Sequence, residues 1–339
     1  MVNKPVRTIA DIAELAGVSK STVSRALSNS PLISEETRNR IQAIAREHNY
    51  QINQPARSLS MKRTNTIAFI THGYHSEFSV EDLFFMEMLG AIASTLAENN
   101  YDLLLVNVDP YKTDWINDYL NTGKVDGFIL MTSTHKSQHV QKLIEVQAPF
   151  IAWGVPIASA NYCTVTGDNL TGSRLATAHL LELGRRKIAF LGGPEKDRET
   201  QLRYEGFANT LIAAGLEPDQ NCVVHGWFSR SCGIKGMNQL LDKEPNIDAV
   251  FCNSDFLAMG AIDVIRERGK RVPEDISVVG YDDISLAQYS NPPLTTIRQN
   301  INESGRLLVN NLIQYLETGI VTNVSVPVNL VVRESTMPG

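Results

Sequence analysis

The side chains that could do chemistry fall into two sets. In the first, Asp168, Arg203, Ser254, Asp255 and Asp282 each stand just after a predicted strand or at the start of a predicted crossover helix. Carboxylates, a guanidinium and a hydroxyl so placed suit a ligand whose adjacent hydroxyls both donate and accept, as a sugar's do. Trp227 and Phe228 add an apolar ring face for a pyranose to stack on. Plainer roles stay open: Asp168 and Asp255 as helix N-caps, Trp227 as a rim residue, Arg203 as a solvated helix charge. The second set is Lys20, Ser21 and Arg25, free to point away from the core of one short helix near the N-terminus.

Other chemistry finds little support. Cys163, Cys222, Cys232 and Cys252 lack metal-type spacing, and with no export signal they read as reduced thiols of a cytoplasmic protein. His135 and His139 stand four apart, as two zinc ligands would, but no third ligand accompanies them, so a solvated helix start is the expectation. Gly192-Gly193-Pro194 follows a strand without phosphate-loop spacing and reads as a turn. No Gly-x-Ser-x-Gly elbow or paired catalytic carboxylates occur. The expectation is a binding protein with no catalytic residues, metal or cofactor.

The elements that carry Lys20, Ser21 and Arg25 are legible locally. Thr8 with Asp11 three residues on forms a capping pattern, and Ile9, Ile12, Ala13 and Ala16 follow at helical spacing. Gly17 closes that helix, Ser19 caps a second, and Val23, Ala26 and Leu27 face its core. Ser34, Glu35 and Glu36 open a third, carrying Ile41, Ile44 and Ala45. This is the build of a helix-turn-helix, which lays one helix in the major groove of DNA. A generic three-helix bundle is the alternative, and charge argues against it. Residues 1–63 hold ten Lys/Arg and five Asp/Glu, net +5, in a chain of −6, so the remainder carries −11. A basic head on an acidic body is the footprint expected of a DNA-binding end.

From Thr66 onward, short apolar runs alternate with amphipathic stretches, the sign of parallel sheets with crossover helices. Candidate strands are Thr66–Thr71, Asp102–Asn107, Val125–Met131 and Phe150–Trp153. A second set opens at Cys163–Val165 and continues through Lys187–Leu191, Asn221–Val224, Asp248–Phe251 and Ser277–Gly280. Helices are expected at Asn169–Leu183 and Asp255–Arg268. About 275 residues in two such sets suit two lobes, with a ligand between them beyond the strands' carboxyl ends.

TIADIAELAGVSKSTVSRAL with YQINQPARSL resembles the lactose-repressor (LacI/GalR-type) family of bacterial transcription regulators. TGDNLTGSRLATAHLLELGRRKIAFLGGP, CNSDFLAMGAIDVI, VPEDISVVGYDD, NPPLTTIRQN and LVVREST extend the resemblance over nearly the whole chain. It implies an N-terminal all-α helix-turn-helix headpiece (1–50), a hinge (51–63) and an α/β periplasmic-binding-protein-like (type I) two-lobed effector domain (64–339). Lobe 1 would span 64–162 and 293–325, and lobe 2 would span 163–292 and 326–339. By the same resemblance Lys20, Ser21 and Arg25 read bases, while Thr8, Ser19, Thr22, Ser24, Ser34 and Tyr50 hold phosphates. Arginine suits paired acceptors on guanine, and hydroxyls fix register. Asn53 caps the hinge helix, Leu59 wedges into the minor groove and Arg57 lies beside it, although Ile52 stands where a proline is usual and Pro55 is added. A plain tether is the alternative.

The effector positions implied are Asp168, Arg203, Phe228, Ser254 and Asp282, with Trp227 and Asp255 as further candidates; Ser254 stands where asparagine is common. The loop Thr71 to Asp82 is long, and Tyr74, His75 and Phe84 are candidates for the same pocket. Expected partners are double-stranded operator DNA, a small-molecule effector (a sugar, with a nucleobase, nucleoside or partner phosphoprotein as alternatives) and a second copy of the chain, with no membrane. The expected setting is the bacterial cytoplasm, at the nucleoid. No leucine heptads follow LVVREST, so a dimer rather than a tetramer is expected. Loss of Arg203 or Asp282 is expected to remove the effector response and spare operator binding.

Overall fold

Three short capped helices build the first part of the chain. The structure, a computed structural model, describes residues 8–50, 63–72, 83–109, 111–131, 137–157 and 160–337. The chain separates into two units, Met1–Thr64 and Asn65–Gly339. In the first, α1 (Ile9–Ala16) begins at a capping box: Asp11 N donates to Thr8 Oγ1 (3.3 Å) and Thr8 N donates to the Asp11 carboxylate (2.9 Å). Gly17 ends it at φ +64°, a left-handed position that suits glycine. Helix α2 (Lys20–Leu27) is capped by Ser19 and α3 (Glu35–Glu47) by Ser34. Ile12, Ala13, Ala16, Val23, Ala26, Ile41 and Ala45 meet in one small core.

The second unit contains two six-stranded sheets. The first sheet holds β1 (Thr66–His72), β2 (Asp102–Val108), β3 (Gly127–Met131), β4 (Phe150–Trp153), β5 (Cys163–Gly167) and β11 (Asn323–Val326), in the order β11-β5-β4-β3-β1-β2 and all parallel. The second holds β6 (Ile188–Gly192), β7 (Val223–His225), β8 (Ala249–Cys252), β9 (Ser277–Asp282), β10 (Thr295–Gln299) and β12 (Val328–Val331), in the order β12-β10-β9-β8-β6-β7. Only its β10–β12 pair is antiparallel. Helices α4 (Leu83–Glu98), α5 (Trp115–Leu120), α6 (Ser137–Glu145) and α11 (Ile301–Thr318) accompany the first sheet. Helices α7 (Asn169–Glu182), α8 (Arg198–Ala213), α9 (Arg230–Lys243) and α10 (Asp255–Glu267) accompany the second. Strands such as β4, β6 and β8 are buried throughout, as helices on both faces require.

The chain crosses between lobes at Gly167–Asp168, at Gln299–Asn300 and around Pro327. Two boundaries therefore differ from the sequence reading. Strand β5, expected to open the second lobe at 163, pairs with β4 and β11 and finishes the first sheet. Strand β10, expected beyond the return at 293, lies inside the second sheet. The reason is chemical. Thr295 and Thr296 give β10 no apolar run, yet both are buried, because Thr295 Oγ1 donates to Arg333 O (2.9 Å) and Thr296 Oγ1 to Asp255 Oδ1 (2.5 Å). The crossings lie close together: a side chain at Gly167 would run into Gln299 and meet Val328. The C-terminal segment is bound just as firmly. Buried Ser335 exchanges hydrogen bonds with Val278 and accepts one from Thr295 N, and Thr336 meets His179 Nε2 (2.9 Å).

His139 corrects another expectation. Far from solvated, it is fully buried, its Nε2 2.9 Å from Lys112 O and its ring edge-on to Trp115. Cys163, Cys222 and Cys252 are buried and Cys232 half-buried, all as free thiols. Burial, with Asp219 next in effect, pushes the Cys222 thiol up to about 11, far from reactive thiolate.

Candidate functional site

On the first unit, one face of α2 is laid open by the packing of the other. Val23 and Ala26 sink into the core, and Lys20, Ser21, Ser24 and Arg25 stand exposed. The hydroxyls around them also have local duties. Ser19 Oγ accepts from Thr22 N (3.1 Å) and lies 2.8 Å from the hydroxyls of both Ser21 and Thr22. Ser34 Oγ accepts from Thr37 N (3.4 Å) and donates to Thr37 Oγ1 (2.9 Å). Tyr50 packs half-buried on the three-helix core; burial first, then Asp11, raises its hydroxyl above the usual range. Asn53, Arg57 and Leu59, together with Tyr74 and His75, lie outside the described residues.

In the second unit, the start of α7 and the carboxyl ends of β8 and β9 converge on one guanidinium. Arg203 of α8 is 6% exposed. Its Nε donates to Asn169 Oδ1 (2.8 Å), its Nη1 to the Asn253 carbonyl (2.5 Å), and its plane lies 3.7 Å over the Tyr281 ring. It is thus a buried strut between α7, β8 and β9, not a solvated charge. Asp168 caps α7, accepting from Thr171 N (3.0 Å). Ser254, 3% exposed, caps α10, accepting from Leu257 N (3.3 Å). Asp282 ends β9 at φ +116° and accepts from Gln299 Nε2 (2.8 Å). Phe228 lies against Gly193, where a methyl group would collide with the ring, and His225 Nδ1 sits 3.0 Å from Gly193 O. The Gly192-Gly193 pair is therefore a seat for two rings as well as a turn. Trp227 is half-buried beside Phe228.

Asp255 does something else. It is 1% exposed, and both oxygens are committed: Oδ2 accepts from Ile284 N (2.9 Å) and Oδ1 from Thr296. Burial, with Asp282 next, holds its carboxyl well above the usual carboxylate range. It ties α10 to β9 and β10, so the structure removes it from the effector candidates.

Four participants were not singled out in the sequence: Asn169, Asn253, Tyr281 and Glu199. Glu199 reaches across the lobes, its Oε1 accepting from Val155 N (2.9 Å) just after β4. Its carboxyl is raised, by burial above all. Glu87 of α4 reciprocates from the first lobe, accepting from Ser285 N (2.9 Å) in the second. Phe84 packs against the cores of both lobes and lies 6.0 Å from Trp153. Glu199 did have a signal, one helical turn before Arg203, but an acid in a first turn reads first as a partner for the helix dipole.

A basic helix-turn-helix unit followed by two α/β lobes is the build of a DNA-binding transcription regulator. Residues 8–53 match the model of bacterial regulatory proteins, lacI family, and residues 177–336 match the periplasmic binding protein-like domain. The chain is 33% identical to the HTH-type transcriptional regulator CelR of Thermobifida fusca over 335 residues, 97% of this chain and 98% of the relative. The structure resembles that of a lac repressor dimer bound to operator and the anti-inducer ONPF (TM-score 0.83, 29% identity, 98% of this chain and 99% of that one). It also resembles a CelR–cellobiose complex (TM-score 0.76, 31% identity, 97% and 99%). The chain belongs to the LacI family of bacterial regulatory proteins. Among the described residues, no helix is long and apolar enough to cross a membrane, and no cluster of three or more metal-binding side chains occurs.

Proposed function

We propose that this chain represses transcription in the bacterial cytoplasm by binding a palindromic operator as a homodimer, under the control of a sugar held between its two lobes. The observation that carries the reading is the exposed face of α2, where Lys20, Ser21 and Arg25 stand clear of a core that fixes their helix. One such helix reads too few bases for genomic selectivity, and symmetric half-sites call for a symmetric pair of heads. Lys20, Ser21 and Arg25 read base edges. Thr8, Ser19, Thr22, Ser24, Ser34 and Tyr50 hold the backbone, and Asn53, Arg57 and Leu59 form the minor-groove hinge. Asp168, Arg203, Phe228, Ser254 and Asp282 line the effector site, with Trp227 at its rim. Two relatives support the reading: the lac repressor structure is a dimer on operator, and the CelR structure contains cellobiose.

Effector binding changes the angle between the lobes and so the spacing of the paired hinges, a coupling of about 1–3 kcal/mol in typical cases. The test is a gel-shift titration on a palindromic operator with a central CG step, with and without cellobiose and other sugars. Salt-sensitive, sequence-selective retardation that a sugar alters is the expected result. Absence of selective retardation refutes the repressor, and indifference to every sugar refutes the effector class.

A further inference from the structure

We infer that Asp126 fixes the direction in which the chain enters the second unit and is thereby a positioning residue for operator binding. The inference rests on the dimeric operator-binding reading proposed above and concerns a residue outside both candidate sites.

The same short pattern recurs at the same point of both lobes. Val125-Asp126-Gly127 runs into β3 and Ile247-Asp248-Ala249 runs into β8, each the neighbour of its lobe's first strand, β1 or β6. Val125 and Ile247 are buried, and the aspartate after each is left half-buried beside the chain arriving at that neighbouring strand. Both carboxylates hold that chain by its backbone. Asp248 accepts from Arg186 N (2.8 Å) and Lys187 N (3.0 Å), and its own N–H donates to Lys187 O (3.1 Å). Asp126 accepts from Asn65 N (2.8 Å), and its own N–H donates to Thr66 O (2.8 Å).

What the two aspartates hold is different. Residues 185–187 follow α7 of the same lobe and are secured several times over: Arg185 N donates to Leu180 O, Arg185 Nη2 to Pro273 O, and Lys187 Nζ pairs with Asp219 and Glu244. Asn65 is instead the first residue of the second unit, reached from the DNA-binding head. It stands at φ +50°, a left-handed position that asparagine tolerates, and its carbonyl accepts from Asp102 N (2.7 Å). Asp126 thus grips it from the β3 side and Asp102 from the β2 side. Strand β1 begins at the next residue and pairs with both of those strands. The turn at Asn65 therefore moves with the first sheet as one piece. Where two heads must meet two half-sites at a set spacing, a residue ordered in advance removes an ordering cost from binding. Without the Asp126 carboxylate that cost returns for one residue in each of two copies, about ten-fold or more in affinity.

The experiment measures, by fluorescence anisotropy, the affinity of the full-length protein for the palindromic operator with a central CG step and for a scrambled duplex, alongside thermal melting. Asp126→Ala should weaken operator binding about ten-fold or more and leave the scrambled duplex within about two-fold, because each head still meets phosphates. Asp126→Asn, whose amide oxygen can still accept from Asn65 N, should stay within about three-fold of wild type. Asp248→Ala is the control. It removes the corresponding clasp from the other lobe, so it should lower the melting temperature at least as much as Asp126→Ala yet leave operator affinity within about two-fold. Hydrogen exchange resolved at Asn65 in wild type needs no variant to fold, and its amide should exchange at least about ten-fold slower than an unstructured one. An unprotected Asn65 amide overturns the inference. So does an equal loss of operator affinity in Asp126→Ala and Asp248→Ala, or a loss in neither. Wild type that shows no preference for operator over scrambled duplex overturns the operator-binding reading itself, and the inference with it.

Discussion

Replacing Arg203 with alanine should damage the body of the protein as much as any effector response. The side chain donates to Asn169 Oδ1 and to the Asn253 carbonyl, and both residues are buried. Removing it leaves two buried acceptors unserved, at about 1–3 kcal/mol each. The stacking on Tyr281 adds roughly 1–2 kcal/mol, the range for a desolvated cation over an aromatic ring. Release from the cost of burying the guanidinium offsets part of this, so a net loss of about 3–5 kcal/mol follows. Domains commonly have only about 5–15 kcal/mol to spare. At roughly 2–4 °C per kcal/mol for chains of this size, the melting temperature should fall by about 6–20 °C. Tryptophan fluorescence is a suitable probe, because Trp115, Trp153 and Trp227 all lie in the second unit. Arg203→Lys, which keeps a charge over the ring but cannot fork to both acceptors, should fall between. An R203A protein within about 1 kcal/mol of wild type would show that the strut is not structural. The expected separation, in which loss of the side chain removes the effector response and spares operator binding, is then to be tested on Asp282.

Three further outcomes follow from the same geometry. Arg25→Ala should weaken the specific operator complex by about 1–3 kcal/mol in a gel shift while leaving the melting of the body unchanged; a shift in body melting would count against the division into units. Asp255→Asn should match or exceed wild-type stability in urea, since it keeps an acceptor for Ile284 N and removes a buried charge; Asp255→Ala should cost about 2–5 kcal/mol, and equal damage from both would contradict the account. His179, held below its usual pKa by burial with Glu182 opposing, disfavours protonation in the fold. Its contribution is therefore complete above the unfolded value of 6.5 and is lost as pH falls below it, so wild type should lose more stability than His179→Gln between about pH 7.5 and 5.5.

What the sequence disclosed depended on whether the physics was local. Thr8 with Asp11, Gly17, Ser19 and Ser34 act within a turn of themselves, and the helices they bound lie where capping logic puts them. Strands built from apolar runs, such as β3 and β8, were equally plain. β10 was hidden because its threonines are satisfied by Asp255 and Arg333, residues about 40 positions away. His139 defeats a local reading because Trp115 and the Lys112 carbonyl, not its own neighbours, decide its surroundings. Asp168, Ser254 and Asp282 stand at strand ends or helix starts in the structure, as the sequence places them. The same positional logic makes Asp255 a candidate, because nothing in a linear string tells a carboxylate facing open space from one facing Ile284. Glu199 and Asn253 act through partners in other elements, and only the assembled fold displays them.

The burial of Ser335 and Thr336 between β9, β10 and α7 sets the order in which this protein can mature on the ribosome. Residues 8–50 can close their three helices as soon as they emerge, because every contact in that core is made within them. The second lobe begins at residue 168 but lacks its edge strand and the clasp on Val278 until Thr336 has been translated. A nascent chain therefore carries a finished DNA-reading head well before it owns a finished sensor, and the control it exerts begins only after synthesis is nearly done.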